Sequence, residues 1–146
     1  MIRAFVDASV LFAAAYSETG ASREIIRQAI RGEIQLVSSQ LAFEEARRNL
    51  QEKAPEVASE LENFREVVEF EMVRPTKREV LEAMEYTAAK DAPIIAAARR
   101  AQVDYLVSLD RQHLVEVPEV AERSGLMIVL PGDFLKEARR QRGVRQ

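Results

Sequence analysis

Four acidic residues stand where the pattern of the chain gives a carboxylate something to do. Asp7 directly follows the apolar, β-branched run "IRAFV", and Asp110 directly follows "DYLVSL". Each is therefore expected at the carboxyl end of a strand, the edge outside which ligands bind in open α/β sheets. Asp91 opens "DAPIIAAARRAQ", a predicted helix with Pro93 in its first turn. Glu45 lies inside the predicted helix "QLAFEEARRNLQEK", and helices packed on neighbouring strands would turn Asp91 and Glu45 toward the same edge. Two carboxylates about 4 Å apart repel by about 4 kcal/mol at an effective dielectric constant of roughly 20, so a cluster of them must take up a proton or a cation. A divalent cation is the simplest remedy, and all-oxygen ligation suits Mg²⁺ or Mn²⁺. One such ion would lower the pKa of an attacking water, and a second would stabilise the leaving oxygen of a phosphodiester. The chemistry implied is hydrolytic.

The elements that must position these acids alternate. "SREIIRQAIRG" has apolar residues at helical spacing and stops at Gly32, and "EIQLVSS" reads as a second strand. In the helix that follows it, Leu41, Ala42, Ala46 and Leu50 are expected to share a buried face. Pro55 suits the first turn of a helix over "PEVASELENFREVVEF", and "FEMV" suits a short edge strand. Thr76 and Glu79 form a capping-box pattern ahead of "KREVLEAMEYTAAK". After "DYLVSL" come a short helix, "VPEVAERSG", a last strand, "LMIVL", and a terminal helix, "PGDFLKEARRQ", fraying into the polar "RGVRQ". Strand and helix in alternation predict an α/β fold, a three-layer sandwich around a mainly parallel sheet.

With 146 residues the chain fits one domain, 1–146, with about 139–146 expected as a mobile basic tail. It contains no cysteine, which excludes disulfides, thiol catalysis and cysteine-ligated zinc, and accords with a cytoplasmic location. Asp7 interrupts the N-terminal apolar stretch where a signal peptide is purely hydrophobic. Nothing approaches the roughly 20 apolar residues needed to span a bilayer, so no membrane association is expected. A net charge of −3 shows that any affinity for polyanions must come from local patches.

"FVDASVL", the glutamate of "LAFEEARRNL", "DAPIIAAA" and "DYLVSLD" resemble, in order and approximate spacing, the four motifs of the PIN-domain nucleases. The resemblance spans most of the chain, including "PGDFL". It implies a PIN-like fold and a metal-dependent endoribonuclease of the kind found as VapC-type toxins in toxin–antitoxin pairs. It also implies RNA as substrate, a cognate antitoxin covering the acidic cleft, and a homodimer. Carried over by position, Asp7, Glu45, Asp91 and Asp110 would be both the catalytic residues and the ligands of Mg²⁺ or Mn²⁺. Glu45 is preferred over Glu44 because Leu50 falls five residues after it, as the motif has it. Ser9 and Ser108 match supporting hydroxyl positions, and Asp104 matches an outer acid present in some branches. Where many members carry a further acid after the fourth motif, this chain reads Arg111, Gln112, His113, which weakens the case for a second metal.

Each acid also has an ordinary structural role open to it. Asp7 and Asp91 would cap helices, Asp110 would close a turn, and Glu44 and Glu45 would face solvent. It is their joint order that favours catalysis. His113 is the lone histidine, leaving no pair for a two-imidazole mechanism, and is expected at the surface. Arg23, Arg27, Arg31 and Arg99 are candidate RNA contacts, and a solvated, glutamate-balanced face is the alternative for each. Arg47 with Arg48, and Arg99 with Arg100, are basic pairs near two of the acids, and Arg139, Arg140, Arg142 and Arg145 lie in the tail. Aromatic residues make up 6%, so extensive base stacking is not expected; Phe43, Phe64 and Phe134 are assigned to the core. Two rivals remain. One is a catalytically weak PIN-like module that binds RNA or protein. The other is a phospho-acceptor regulator, which would want an adjacent acidic pair and a late lysine that "VDAS" and "SLDR" lack.

Overall fold

A computed structural model describes residues 1–145. A five-stranded, wholly parallel sheet forms the centre, built from β1 (Arg3–Val6), β2 (Gln35–Ser38), β3 (Glu71–Met72), β4 (Tyr105–Val107) and β5 (Ile128–Val129). Its order is β3-β2-β1-β4-β5. Successive strands step outward from β1 to one side, and the chain then crosses to β4 on the other, so β1 and β4 flank the switch point of the sheet. Their inner residues are fully buried, as the apolar runs "AFV" and "YLV" require when both faces are covered.

Eight α-helices flank the sheet: α1 (Ala8–Tyr16), α2 (Ala21–Ile30), α3 (Gln40–Lys53), α4 (Glu60–Val67), α5 (Lys77–Ala83), α6 (Ala92–Ala101), α7 (Pro118–Ser124) and α8 (Pro131–Arg145). Helix α1 packs on α2 and α3, α2 on α8, and α5 on α6. The expected α/β class and parallel sheet are therefore what forms.

Local chemistry sets the boundaries. Gly32 adopts φ +75° just beyond α2, where a side chain would be strained. Thr76 and Glu79 close the anticipated capping box on α5, while that helix stops at Ala83 rather than running on to Lys90. Pro55 opens only a 3₁₀ turn, Pro55–Val57, before α4 begins.

One packing expectation changes. Leu41 is 43% exposed and Phe43 takes its place beside Ala42, Ala46 and Leu50, because helical phase brings 42, 43, 46 and 50 onto one face. Residues 139–145, read from the sequence as a frayed basic tail, continue α8 as helix. Arg140 pairs with Glu137 at 2.8 Å, and the Arg142 guanidinium donates to Gln28 Oε1 of α2 at 3.2 Å, which ties the helix end to the body. Gln146 and the side chains of Val144 and Arg145 lie outside the described residues. Phe43, Phe64 and Phe134 are buried as assigned.

Candidate active site

Register brings the first and last acids together. Val6 pairs with Val107 across β1 and β4, so the next residues, Asp7 and Ser108, emerge side by side at the switch point. Asp7 is buried and caps α1, its Oδ1 accepting from the Val10 amide at 3.2 Å and from the Ser9 hydroxyl at 2.6 Å. Its Oδ2 accepts from the Ser108 hydroxyl. Ser9 Oγ accepts in turn from the Leu109 amide, and Ser108 Oγ from the Asp110 amide, each at 3.0 Å. Ser9 and Ser108 thus clamp Asp7 from both sides and stitch α1 to the loop after β4. Despite these donors, burial holds the Asp7 carboxyl above its ordinary pKa.

Asp91 precedes α6 but does not cap it. Its backbone is helical (φ −95°, ψ −16°) and its side chain makes no cap hydrogen bond. Its Oδ2 is buried and has no hydrogen-bond partner among the described residues. Burial raises its pKa; Lys90 opposes that rise, Asp110 and Glu45 add to it, and His113 opposes it. Asp110 does take the turn role open to it, with Oδ1 accepting from the His113 amide at 3.0 Å and lying 3.2 Å from His113 Nδ1.

Asp7, Glu45, Asp91 and Asp110 line one small cavity of about 110 Å³, together with Ser9, Lys90 and Leu114 among others. Four segments far apart in sequence therefore open onto a single void. Glu44 faces a different cavity, beside Gln40, Leu41 and Arg74, so helical phase separates the two adjacent glutamates. Among the described residues, Asp7, Glu45 and Asp91 form no ion pair. Also among the described residues, no three acidic or histidine side chains are drawn tightly enough to form a ready metal cage. The donor set nonetheless fits a hard cation. It is wholly carboxylate and hydroxyl oxygen, one buried carboxylate oxygen has no other partner, and burial already disfavours the unpaired anions at Asp7 and Asp91.

Other candidates lie apart. Asp104 is at the opposite end of β4 from Asp110, where its Oδ2 accepts from the Arg3 amide at 2.8 Å. Arg23 pairs with Glu60 at 3.1 Å, Arg27 with Glu24 at 3.1 Å, and Arg31 with Glu24 and Glu33 at 3.3 and 3.1 Å. Arg99 contacts the Tyr86 hydroxyl. None of the four arginines lines the acidic cavity. Lys90, unremarked in the sequence, does line it; its one signal there is its place immediately before Asp91.

The PIN domain family model matches residues 3–112, which carry all four acids. Among curated proteins none matches. Solved structures share the fold at low identity. PAE2754 from Pyrobaculum aerophilum is 19% identical over 95% of this chain and 90% of its own, with a TM-score of 0.66. VapC20 from Mycobacterium tuberculosis, a toxin that cleaves the sarcin-ricin loop, is 17% identical over 78% and 95%, with a TM-score of 0.58. VapBC2 from Rickettsia felis, solved bound to a DNA fragment from its promoter, is 11% identical over 88% and 98%, with a TM-score of 0.62.

Proposed function

The chain belongs to the PIN domain family, and from that premise we propose that it is a metal-dependent endoribonuclease, the toxin of a toxin–antitoxin pair. One observation carries the reading: four carboxylates from separate segments line a single cavity in which a buried Asp91 oxygen lacks any partner. The structural likeness to VapC20, which cleaves the sarcin-ricin loop, supports RNA as substrate, and the likeness to VapBC2 supports an antitoxin partner. A homodimer is part of the proposal, and its mass in solution tests it.

Asp7, Glu45, Asp91 and Asp110 would hold Mg²⁺ or Mn²⁺. When bound, such an ion would make an attacking water more acidic and offset the charge that develops on the phosphodiester. The protein's own contribution is placement. Ser9, Ser108 and the Val10 amide fix both oxygens of Asp7 before any ligand arrives. The His113 amide orients Asp110. Lys90, on the cavity lining, would draw the substrate phosphate toward an otherwise anionic site.

A second reading, a PIN-like module that grips RNA or protein without turnover, is favoured by one observation: the acids are not drawn into a closed cage among the described residues. The same assay separates the two. Purified protein with RNA and Mn²⁺ is expected to cut it, and excess chelator or Asp7→Asn to abolish the cutting. Retention of intact RNA under all three conditions would favour the binding module, and cutting that survives both chelator and Asp7→Asn would refute the metal-dependent mechanism.

A further inference from the structure

The acidic cavity does not end at Asp7. Ser9, which lines it, also lines a groove of about 430 Å³ between α1 and α3, together with Phe12, Tyr16, Asn49, Lys53 and Leu109. Each wall is a helical stripe that begins beside a catalytic acid. On α1, Phe12 and Tyr16 follow Ser9, whose hydroxyl donates to Asp7, at near one-turn steps. On α3, Asn49 and Lys53 follow Glu45 at four-residue steps, so Lys53 stands about 12 Å further along the axis than Glu45.

The groove presents a flat aromatic platform. Phe12 and Tyr16 stack with centroids 5.7 Å apart and planes 12° from parallel, and Tyr16 is 61% exposed. Lys53 Nζ lies 5.7 Å from the Phe12 centroid, so its neighbour is a ring rather than a carboxylate. Among the described residues it is the one charged residue lining the groove.

We propose that this groove is a nucleotide subsite for single-stranded RNA. The base next to the scissile phosphate stacks on Tyr16, the Asn49 amide faces the base edge, and the following backbone phosphate meets Lys53. A stacking ring held by a second ring, with a lone cation further along a track leading to the acidic centre, is the arrangement that single-stranded nucleic acid selects. The proposal rests on the nuclease reading of the acidic cavity. It also fits the scarcity of aromatic residues, since one base is stacked rather than many.

The test uses the full chain and a short fluorescein-labelled oligoadenylate. Binding is read by anisotropy in excess chelator, and cleavage is read as kcat/KM in Mn²⁺. Tyr16→Ala is expected to weaken binding and lower kcat/KM by about 5- to 150-fold, with Tyr16→Phe close to wild type. Lys53→Gln is expected to reduce the slope of log affinity against log salt by about one. Tyr16→Ala that binds and cleaves as wild type does overturns the subsite, as does failure of the wild type to bind the oligonucleotide. A changed oligomeric state with unchanged RNA affinity also overturns it, marking the face as a protein interface. The two readings fail separately. Loss of binding in Tyr16→Ala with a wild type that never cuts refutes the nuclease and keeps the groove, whereas equal cutting by both proteins refutes the groove and keeps the nuclease.

Discussion

At the start of β1 the Arg3 guanidinium donates to Glu71 Oε2 at 2.6 Å and to the Ala101 and Gln102 carbonyls, while the Arg3 amide donates to Asp104. At the end of the same strand Asp7 enters a cavity shared with Glu45, Asp91 and Asp110, in which Lys90 is the one strongly basic side chain. The first region matches each charge with a partner of opposite sign or with a polar backbone group. The second gathers like charges, buries one of them, and leaves an oxygen of another without a hydrogen bond. A charge cluster that folding alone had to satisfy would resemble the first. The second is relieved by taking up a proton or, on the function proposed above, a cation, so the contrast sets the paired structural acids apart from the clustered candidates more sharply than their residue types do.

The largest predicted break of that contrast is at Asp7. Asp7→Asn keeps the shape and removes the charge, and is expected to lower RNA cleavage by more than about 100-fold, beyond what loss of an outer-shell partner causes. Ser108→Ala comes next. It leaves the carboxylate in place and frees one of its oxygens, so a loss of about 10- to 100-fold is expected in the same assay. Equal activity of Ser108→Ala and wild type would show that Asp7 needs no clamp.

The same two regions should part in their response to pH and metal. Burial raises the folded-state pKa of Asp7 and of Asp91 above the ordinary 3.8. A carboxyl with a raised folded pKa contributes stability that is fully present below its unfolded value and lost as pH rises through the folded value. In excess chelator the wild type should therefore lose stability relative to Asp7→Asn as pH climbs from about 4 toward neutrality, and the two should converge in more acid solution. Thermal unfolding across that range measures it, and a wild type that gained on the variant with rising pH would contradict the assigned burial. Adding Mn²⁺ at neutral pH should oppose that loss, stabilising the wild type alone by about 2.7 kcal/mol at a hundredfold excess over Kd.

Much of this was readable beforehand, and the parts that were not have identifiable causes. Strands β1, β2 and β4 announce themselves as short apolar runs, and acids that directly follow such runs must emerge at the sheet's carboxyl edge. The sequence order of strands does not disclose that β4 lies beside β1, and hence that Ser108 reaches Asp7 across 101 residues. Glu44 and Glu45 differ only in helical phase; the motif's leucine spacing favours Glu45, and Glu45 is the one of the two that lines the acidic cavity. Asp91 looks like a helix cap and is not one, because its own backbone is already helical and the carboxylate turns inward. Asp104 shows the opposite failure. It lies beside a motif in sequence, yet β4 holds it at the opposite end of the strand from Asp110. Lys90 and the stacked pair Phe12–Tyr16 left no pattern of their own, since a lone lysine and two aromatic residues one turn apart are equally at home on any surface helix.

The smallest effect belongs to the matched region, and it tests the contrast from the other side. The Arg3–Glu71 pair is partly exposed, at 30% and 45% of the two side chains, and such pairs contribute about 0.2–1 kcal/mol because solvent screens them and ordering two long side chains has an entropic cost. Glu71→Gln should therefore lower the midpoint of thermal unfolding by at most a few degrees. The loss should shrink in high salt as the pair is screened. Asp104→Ala should behave similarly, since it removes one acceptor at a strand end where water can replace it. Neither change should alter RNA cleavage, because neither residue lines the acidic cavity. If Asp104→Ala lowered cleavage tenfold while leaving stability intact, charge at the start of β4 would be coupled to the site, and the division between a structural end and a functional end of the sheet would fail.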